Sequence, residues 1–216
     1  MGTNHIGHFA LVRDFLPKIA KTAAGGVGKA RVVYTGSGVH NPDEPGGDVG
    51  SKATLGDMEG LAKGYKPPIS MVDGKEKFDS DKAYKDSKLC NVCTSLETAR
   101  RLKASSDPAL NRITVNVMNP GLIPTSGLFR DLNPFFVAIF TLITRYIARV
   151  AVSEEEGGRR LAFMVESPML DNVTGGYFSG KPGFYEFSAA EASKEATNEA
   201  VGKKLWDLTE KIVKGK

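Results

Sequence analysis

A tyrosine and a lysine stand four residues apart in the stretch DKAYKDSKLCN, at Tyr84 and Lys88. Residues at this spacing share one face of an α-helix, so the pattern predicts an ammonium group beside the phenol. A neighbouring cation favours the phenolate and lowers the pKa of a tyrosine. Such a tyrosine can exchange a proton with a carbonyl or an alkene that undergoes hydride transfer. The spacing alone is weak evidence, because a lysine-rich helix can contain it by chance.

Further side chains with usable chemistry lie where predicted strands end. Ser37 follows the apolar run RVVYTG, near its carboxyl end. The run RITVNVMNPG ends in Asn119, Pro120 and Gly121, and Thr125 lies four residues after this glycine. Open α/β sheets bind their ligands at the carboxyl ends of the strands. We therefore expect these residues to meet at one edge of a sheet.

The elements that would position these residues alternate between helices and strands. Helical periodicity predicts a first helix up to about Ile19, kinked or ended near Pro17, and later helices at about 81–103, 154–166 and 191–213. Three apolar runs, RVVYTG, RITVNVMNPG and GGYFSG, predict buried strands. This alternation predicts an α/β fold with a Rossmann-like, doubly wound parallel sheet and helices on both faces.

The chain length and composition fit one domain over residues 1–216. The chain is 41% apolar and 25% charged, which is typical of an ordered globular protein. Within it, residues 39–80 are polar and rich in glycine and proline. We interpret them as an insert and expect it to be mobile.

Composition and charge argue against several function classes. The net charge is +4, but acidic residues alternate with the lysines of residues 63–88, so a nucleic-acid partner is not expected. Cys90 and Cys93 lie inside a predicted helix without a second Cys or His pair, which favours buried thiols over a zinc or redox site. His5 and His8 share a helix face without a third ligand, so no metal site is predicted. No apolar run reaches the ~18–20 residues that span a bilayer.

Together with Asn4, the reactive residues resemble the Asn-Ser-Tyr-Lys tetrad of the short-chain dehydrogenase/reductase family, in the family's order. The tetrad corresponds to Asn4, Ser37, Tyr84 and Lys88. The resemblance implies that Tyr84 is the general acid and that Lys88 lowers its pKa and binds the nicotinamide ribose. It also implies that Ser37 orients the reacting group and that Asn4 holds a water in the proton relay.

The turn after the second predicted strand resembles the P-G-x-x-x-T cofactor turn of the same family, at Pro120, Gly121 and Thr125. The resemblance implies that backbone groups near Ile123 and the Thr125 hydroxyl fix the nicotinamide carboxamide. The implied cofactor is NADPH, which would supply the hydride.

Longer motifs resemble one branch of that family, the light-dependent protochlorophyllide reductases. Ser37 lies 84 − 37 = 47 residues before Tyr84, a longer gap than ordinary members have, and the intervening stretch GSKATLGDMEGLAKGYK resembles the insert of the branch. AYKDSKLCN, GLIPTSGLFR and VSEEEGGRRLA resemble its later motifs. The resemblance implies chlorophyll biosynthesis in a plastid, by light-dependent hydride transfer from NADPH to the D-ring double bond of the pigment. Tyr84 would donate the proton.

Two positions depart from the Tyr-Pro-Gly-Cys pattern of the branch, since Asn119 replaces the tyrosine and Leu122 the cysteine. Leucine has no proton to give and no nucleophilic sulfur. The alternative function is therefore a dark NADPH-dependent reductase of a carbonyl or retinoid-type compound on the same scaffold. Cys90 matches the other cysteine of the branch. Asn119, Leu122 and Cys90 are thus the candidates for the pocket of an apolar carbonyl or alkene substrate.

The family's dinucleotide motif, T-G-x-x-x-G-x-G after a first strand, has no counterpart in the chain. The stretch GGVGKA at residues 25–30 precedes a strand, and TGSGVHN lacks the third glycine and a following helix. We therefore expect only the C-terminal portion of the sheet, without its first four strands, and weak NADPH binding by this chain. A third hypothesis follows, a non-catalytic remnant that binds pigment or a partner.

The segment from Phe135 to Val152 has an apolar face of helical period, with Arg145 and Arg149 on another side. It predicts either a core or lid helix over the substrate or an interfacial helix in peripheral contact with a membrane. The sequence also leaves a homo-oligomer open.

Overall fold

The computed structural model describes residues 1–26, 30–129, 133–148, 150–180 and 187–215. Residues 27–29 of the GGVGKA stretch, Arg130 of GLIPTSGLFR and Arg149 lie outside the described residues. The helices are α1 (His8–Ala24), α2 (Glu59–Ala62), α3 (Ser80–Lys103), α4 (Pro108–Asn111), α5 (Pro134–Leu142), α6 (Glu154–Glu166), α7 (Lys194–Thr197) and α8 (Glu199–Val213). The strands are β1 (Arg31–Thr35), β2 (Thr114–Met118), β3 (Tyr177–Gly180) and β4 (Phe187–Ala190). Two π-helical segments, Gly2–Gly7 and Ile143–Ile147, adjoin α1 and α5.

The four strands form one sheet in the order β1-β2-β3-β4. The first three pair in parallel, with Thr35 opposite Met118 and Val117 opposite Tyr177, whereas β4 pairs with β3 in the antiparallel sense. The predicted α/β fold with a Rossmann-like sheet is confirmed. The antiparallel β4 is a correction, because the sequence analysis predicts only parallel strands.

Helices cover both faces of the sheet, as predicted for a doubly wound fold. Successive strand residues point to opposite faces. Val32 and Tyr34 pack in the main core with α3, whereas Val33 packs with Met164 of α6 in a smaller cluster. The main core includes residues from α1, α3 and α8, so α3 lies between the sheet and other helices.

Local signals set the ends of α3 and α6. The side chain of Asp79 accepts a hydrogen bond from the backbone N–H of Lys82 and so caps α3. Arg100, Arg101 and Lys103 lie in the last turn of α3, where cations favour the helix dipole. Ser153 caps α6 by accepting from the N–H of Glu156, as its capping-box sequence predicts.

The insert at residues 39–80 packs against α3, in contrast to the mobile segment that its composition predicts. Ala53, Leu55, Met58, Leu61 and Val72 of the insert are buried in the main core. These side chains are small or aliphatic and are separated by polar and glycine residues, so no helical or strand period reveals them in the sequence.

Buried charges join this insert to the start of α3. The Lys82 Nζ atom lies 2.7 Å from Asp86 and 3.3 Å from Asp73 and donates to the Thr54 carbonyl at 2.9 Å. Asp86 in turn accepts from the Thr54 N–H at 3.0 Å. Lys85 donates to the carbonyls of Val49 and Ser51. These two lysines are almost inaccessible to solvent. Their charges therefore bind the insert to α3 and do not extend into water.

In the part of the chain that the structure describes, no helix combines the length and the apolar character needed to cross a membrane.

Candidate active site

Ser37 and Asn119 lie side by side at the carboxyl edge of the sheet. Gly36 continues β1 by donating its N–H to the Met118 carbonyl at 2.8 Å, which brings Ser37 next to the end of β2. A Cβ atom at Gly36 would lie 3.0 Å from a Val117 methyl group, so this close approach requires glycine. Ser37 itself is extended, with φ −166°.

Tyr84 and Lys88 extend from α3 towards the same edge. Burial raises the pKa of the half-buried Tyr84 phenol, and a hydrogen bond with the Ser37 side chain partly offsets this rise. The Lys88 Nζ atom lies 5.7 Å from the centroid of the Tyr84 ring and 3.4 Å from the Thr35 carbonyl. The structure thus brings together the serine, tyrosine and lysine of the predicted tetrad.

The predicted lowered pKa of Tyr84 is wrong for this structure, because the net shift is a rise. The dominant effect is burial, which disfavours the phenolate and raises the pKa of Tyr84. Burial also lowers the pKa of Lys88, since it disfavours the ammonium form. Lys88 lies over the ring of Tyr84, and its ammonium points to a backbone carbonyl of β1.

Asn4 contacts the helical turn that carries Tyr84. Its Nδ2 atom donates to the Ser87 Oγ atom at 3.1 Å, and the Ser87 hydroxyl donates to the Tyr84 carbonyl at 2.6 Å. The neighbouring His5 is fully buried and bonds the Thr209 hydroxyl of α8 at 2.9 Å. Asn4 is therefore linked to the site through Ser87 and the backbone of Tyr84. His5 instead contributes to packing against α8.

The turn after β2 has a backbone conformation that requires a glycine at position 121. Gly121 has φ +98°, and a Cβ there would come within 2.8 Å of Val152 and 2.9 Å of the Arg160 guanidinium. The Asn119 Oδ1 atom accepts from the Gly121 N–H at 3.1 Å, and its Nδ2 atom donates to the Ser179 hydroxyl at 3.1 Å. Asn119 therefore fixes the turn to the neighbouring strand β3.

Arg160 is a buried residue of α6 that contacts the turn and that no sequence motif identifies. It donates to the Pro120 carbonyl at 3.2 Å and to Glu156 at 3.3 Å. Its guanidinium lies 5.4 Å from the centroid of the Phe187 ring in β4. The adjacent Arg159 is exposed and pairs with Glu155. Only the period of α6, which turns Arg160 inwards, distinguishes the two arginines in the sequence.

Pro124 and Thr125 of the turn border an open cavity of about 340 Å³. Thr125 lines it from the turn, Arg145 from the π-helical segment after α5 and Ser153 from the start of α6. The Leu122 carbonyl accepts from the Val152 N–H at 2.8 Å, so the backbone of Leu122 pairs with the segment that lines the cavity. Ile123 packs against Gly157 of α6.

Cys90, a candidate for the substrate pocket, lies elsewhere. Both Cys90 and Cys93 are fully buried in the main core, where burial raises the pKa of each thiol. A pocket role for Cys90 is therefore not supported by its position, because α3 turns it towards the other core residues instead of the open edge.

The segment with the predicted lid or interfacial helix exposes its apolar side chains. Phe135 is 74% exposed and Ile147 is 78% exposed, and between them Phe136, Ile139 and Leu142 are also exposed. Nothing among the described residues covers them as a core would. A lid, a membrane contact and a homo-oligomer all stay predictions for this surface.

Comparison with known proteins decides the family. The chain is 39% identical over 215 residues to protochlorophyllide reductase A, chloroplastic, of Oryza sativa subsp. japonica, covering 99% of this chain and 53% of the relative. It is 38% identical to the protochlorophyllide reductase of Avena sativa, covering 99% of this chain and 66% of that relative. The chain belongs to the short-chain dehydrogenase/reductase family, in its protochlorophyllide reductase branch. It spans about half the length of the rice relatives, 53% of one and 51% of another.

A solved structure agrees on the fold of this family member. An uncharacterised protein from Mycobacterium paratuberculosis matches with a TM-score of 0.59 at 20% identity, covering 99% of this chain and 57% of that chain. This likeness supports the fold alone. No family model matches the chain.

Proposed function

We propose that the protein is a protochlorophyllide reductase-type oxidoreductase of chlorophyll biosynthesis. The reaction would be light-dependent hydride transfer from NADPH to the D-ring double bond of protochlorophyllide, with Tyr84 as the proton donor. The observation that carries the proposal is similarity to protochlorophyllide reductases along 99% of the chain. The packing of the branch-specific insert on the helix of Tyr84 also supports it.

The environment of Tyr84 suits a proton donor. Because burial raises the pKa of its phenol, Tyr84 remains protonated at neutral pH and carries the proton that the product needs. As the Tyr84 Oη atom loses this proton, the Ser37 side chain and the nearby Lys88 charge would stabilise the phenolate. Asn4 would support the same turn of α3 through Ser87.

The residues present fit the nicotinamide end of NADPH. Among the described residues, the Lys88 ammonium makes one long hydrogen bond, 3.4 Å to the Thr35 carbonyl, and so retains donor capacity for ribose hydroxyls. The Thr125 hydroxyl is exposed beside the 340 Å³ cavity, and Ile123 and Gly121 lie on the turn next to it. We assign ribose binding to Lys88 and carboxamide binding to the turn from Pro120 to Thr125.

The names of several relatives include the word chloroplastic, which supports a plastid location for this protein. They also name protochlorophyllide, which supports a small-molecule pigment as the substrate. An apolar side chain at Leu122 is compatible with such a substrate but leaves proton donation to Tyr84.

The experiment that tests the proposal illuminates the full-length gene product with NADPH and protochlorophyllide and follows the red-shifted absorbance of the product. We expect product in the light and none in the dark. Absence of product from the wild type in both conditions, together with light-dependent product from Leu122→Cys, would show that this protein has lost the photoreductase activity.

The second candidate function is a dark NADPH-dependent reductase of an apolar carbonyl or alkene compound. Leu122 favours it, because leucine cannot replace the chemistry of the cysteine in the branch pattern. Asn119 favours it too, since its amide is bound within the turn and to Ser179 and presents no phenol to a pigment. Reduction of a carbonyl compound in the dark at a higher rate than the pigment in the light would support this candidate.

A further inference from the structure

The histidine three residues after Ser37 is buried next to the site and has no role in the reaction described above. His40 ends the short 3₁₀ turn Gly38–His40 and is 0% exposed. Its Nδ1 atom lies 2.7 Å from the Ser37 carbonyl oxygen. Its Nε2 atom lies 3.1 Å from the backbone nitrogen of Ser193, which begins α7. One ring thus connects Ser37 to a segment that begins 153 residues after His40 in sequence.

These two contacts determine which ring nitrogen carries the proton. A backbone N–H can only donate, so the Nε2 atom of His40 must accept from Ser193. The proton of the neutral ring is then on Nδ1, where it is donated to the Ser37 carbonyl. Burial lowers the pKa of His40 to about 4, so the ring is neutral at physiological pH. The Tyr177 ring of β3, 4.9 Å away between centroids, packs against its face.

The hydrogen bond from His40 to the Ser37 carbonyl affects the orientation of the Ser37 side chain. The Ser37 side chain interacts with the Tyr84 phenol, while its carbonyl also accepts from the backbone N–H of His40 at 3.3 Å. Two donors on one carbonyl fix the peptide plane that follows Ser37, and thereby the direction of the hydroxyl relative to α3.

We propose that His40, as its Nδ1-protonated neutral tautomer, is a positioning residue that holds Ser37 within hydrogen-bonding reach of Tyr84. The bond from Ser193 to Nε2 selects this tautomer and anchors the ring. The proposal rests on the proposed function in taking Ser37 and Tyr84 as the reacting pair, but it predicts a property of the unliganded protein.

Two variants of similar size separate the two bonds of His40. In His40→Asn the side-chain amide occupies the place of Nδ1, so a donor to the Ser37 carbonyl is retained and the bond from Ser193 is lost. In His40→Gln the longer side chain brings its amide to the place of Nε2, so the Ser193 contact is retained and the Ser37 contact is lost. A general loss of packing would affect both variants alike.

The readout is the ionisation of Tyr84 alone. A fluorinated tyrosine placed at position 84, whose phenol titrates at lower pH than tyrosine, reports its own protonation by ¹⁹F NMR. Since the Ser37 side chain lowers the pKa of Tyr84, Ser37→Ala should raise the measured pKa. We expect His40→Gln to raise it in the same direction and His40→Asn to titrate close to the wild type.

The proposal is overturned if Ser37→Ala leaves this pKa unchanged, if His40→Gln titrates as the wild type does, or if His40→Asn shifts as far as His40→Gln. A further measurement requires no substitution. The ¹⁵N shifts of His40 in the wild type should show a protonated Nδ1 and an unprotonated Nε2, and the opposite tautomer would overturn the proposal even if the variants did not fold.

Turnover of the full-length protein provides a separate comparison. Misplacing a reacting group by about 1 Å can cost ~10²-fold in rate, so His40→Gln should lower kcat by up to ~10²-fold with little change in KM, and His40→Asn should retain more of the activity. If the protein proves to reduce another substrate, the NMR results above still stand or fail independently. The failure of the proposed function is thereby distinguished from the failure of this inference.

Discussion

Helix α3, which carries Tyr84, and helix α5, which follows the turn after β2, differ in how far each is buried. Helix α3 is covered by the sheet, by α8 and by the insert, and two lysines near its start are buried. Helix α5 buries none of its residues fully and exposes Phe135 to the extent of 74%. The side of the molecule that carries Tyr84 is thus tightly packed, whereas the side beyond the turn from Asn119 to Thr125 is open and apolar.

The difference suits the proposed function, in which the two sides have separate roles. Proton transfer needs Ser37, Tyr84 and Lys88 held at fixed distances, and a buried helix provides that. A large apolar substrate needs accessible apolar area, and the region around α5 provides that. The two sides meet at the turn from Asn119 to Thr125, which Arg160 fixes from α6.

The largest predicted effect comes from a substitution that breaks the buried ion pair between Lys82 and Asp86. Lys82→Met leaves Asp86 buried without its cation and should lower the free energy of unfolding by about 3–5 kcal/mol. Urea denaturation measures this change. The matched control is Arg159→Ala on α6, where the ion pair with Glu155 is exposed, and we expect a change within ~0.5 kcal/mol. Equal losses in the two variants would contradict the account of α3.

The charge partner of Tyr84 should affect catalysis more than stability. We expect Lys88→Ala to lower turnover by roughly 10²-fold, since the phenolate loses its neighbouring cation, and to weaken NADPH binding as well. Steady-state rates and calorimetric titration of the full-length protein with NADPH measure the two effects. Lys103→Ala, at the exposed end of the same helix, serves as the control. Wild-type turnover by the Lys88→Ala protein would show that Lys88 takes no part in catalysis.

Two buried histidines make the stability of the packed side depend on pH. Burial lowers the pKa of His5 to about 3 and that of His40 to about 4, from an ordinary value of 6.5. Between pH 6.5 and about 4 the unfolded chain therefore binds protons that the folded protein does not, and stability falls as the pH falls. The slope is ~1.4 kcal/mol per pH unit for each histidine.

Urea denaturation at pH 7 and pH 5 measures this dependence. His5→Asn should reduce the difference between the two pH values, and His8→Gln, which changes an exposed histidine, should leave it unaltered. A free energy of unfolding that stayed constant between the two pH values in the wild type would show that His5 and His40 are not buried in the neutral form.

The smallest effect is predicted for the open side. Phe135→Ser should change the free energy of unfolding by no more than ~0.5 kcal/mol, because the side chain is exposed. The contrasting variant is Leu89→Ala in α3, whose side chain is 0% exposed and whose loss should cost ~2–5 kcal/mol. A large destabilisation by Phe135→Ser would mean that α5 packs against the fold after all.

The sequence predicts the parts of this structure that depend on local signals. The apolar runs of β1 and β2 and the Ser153 cap of α6 are visible in the chain and occur in the structure. Strand β4 has no such signal, because its Phe-Ser-Ala-Ala sequence becomes a strand only through pairing with β3. The burial of Lys82 and the position of Cys90 likewise depend on what packs against α3, which the residues of α3 do not encode.

The candidate site likewise combines features that local sequence predicts with features that depend on tertiary packing. The alignment of Ser37 with the end of β2 follows from strand order, but the raised pKa of Tyr84 follows from burial, which the i, i+4 spacing to Lys88 does not reveal. Arg160 and His40 have no motif of their own. Their contacts with the Pro120 and Ser37 carbonyls arise only when distant segments meet.

The most direct test of the central claim is a single light flash given to the full-length protein with NADPH and protochlorophyllide bound. Product absorbance is followed for the wild type, for Tyr84→Phe and for Tyr65→Phe, a control that removes a phenol from the insert. The account predicts product from the wild type and the control, and product formation slowed by ~10²–10⁴-fold in Tyr84→Phe with NADPH affinity retained. Product from Tyr84→Phe at the wild-type rate would contradict it, because the proton would then have another donor.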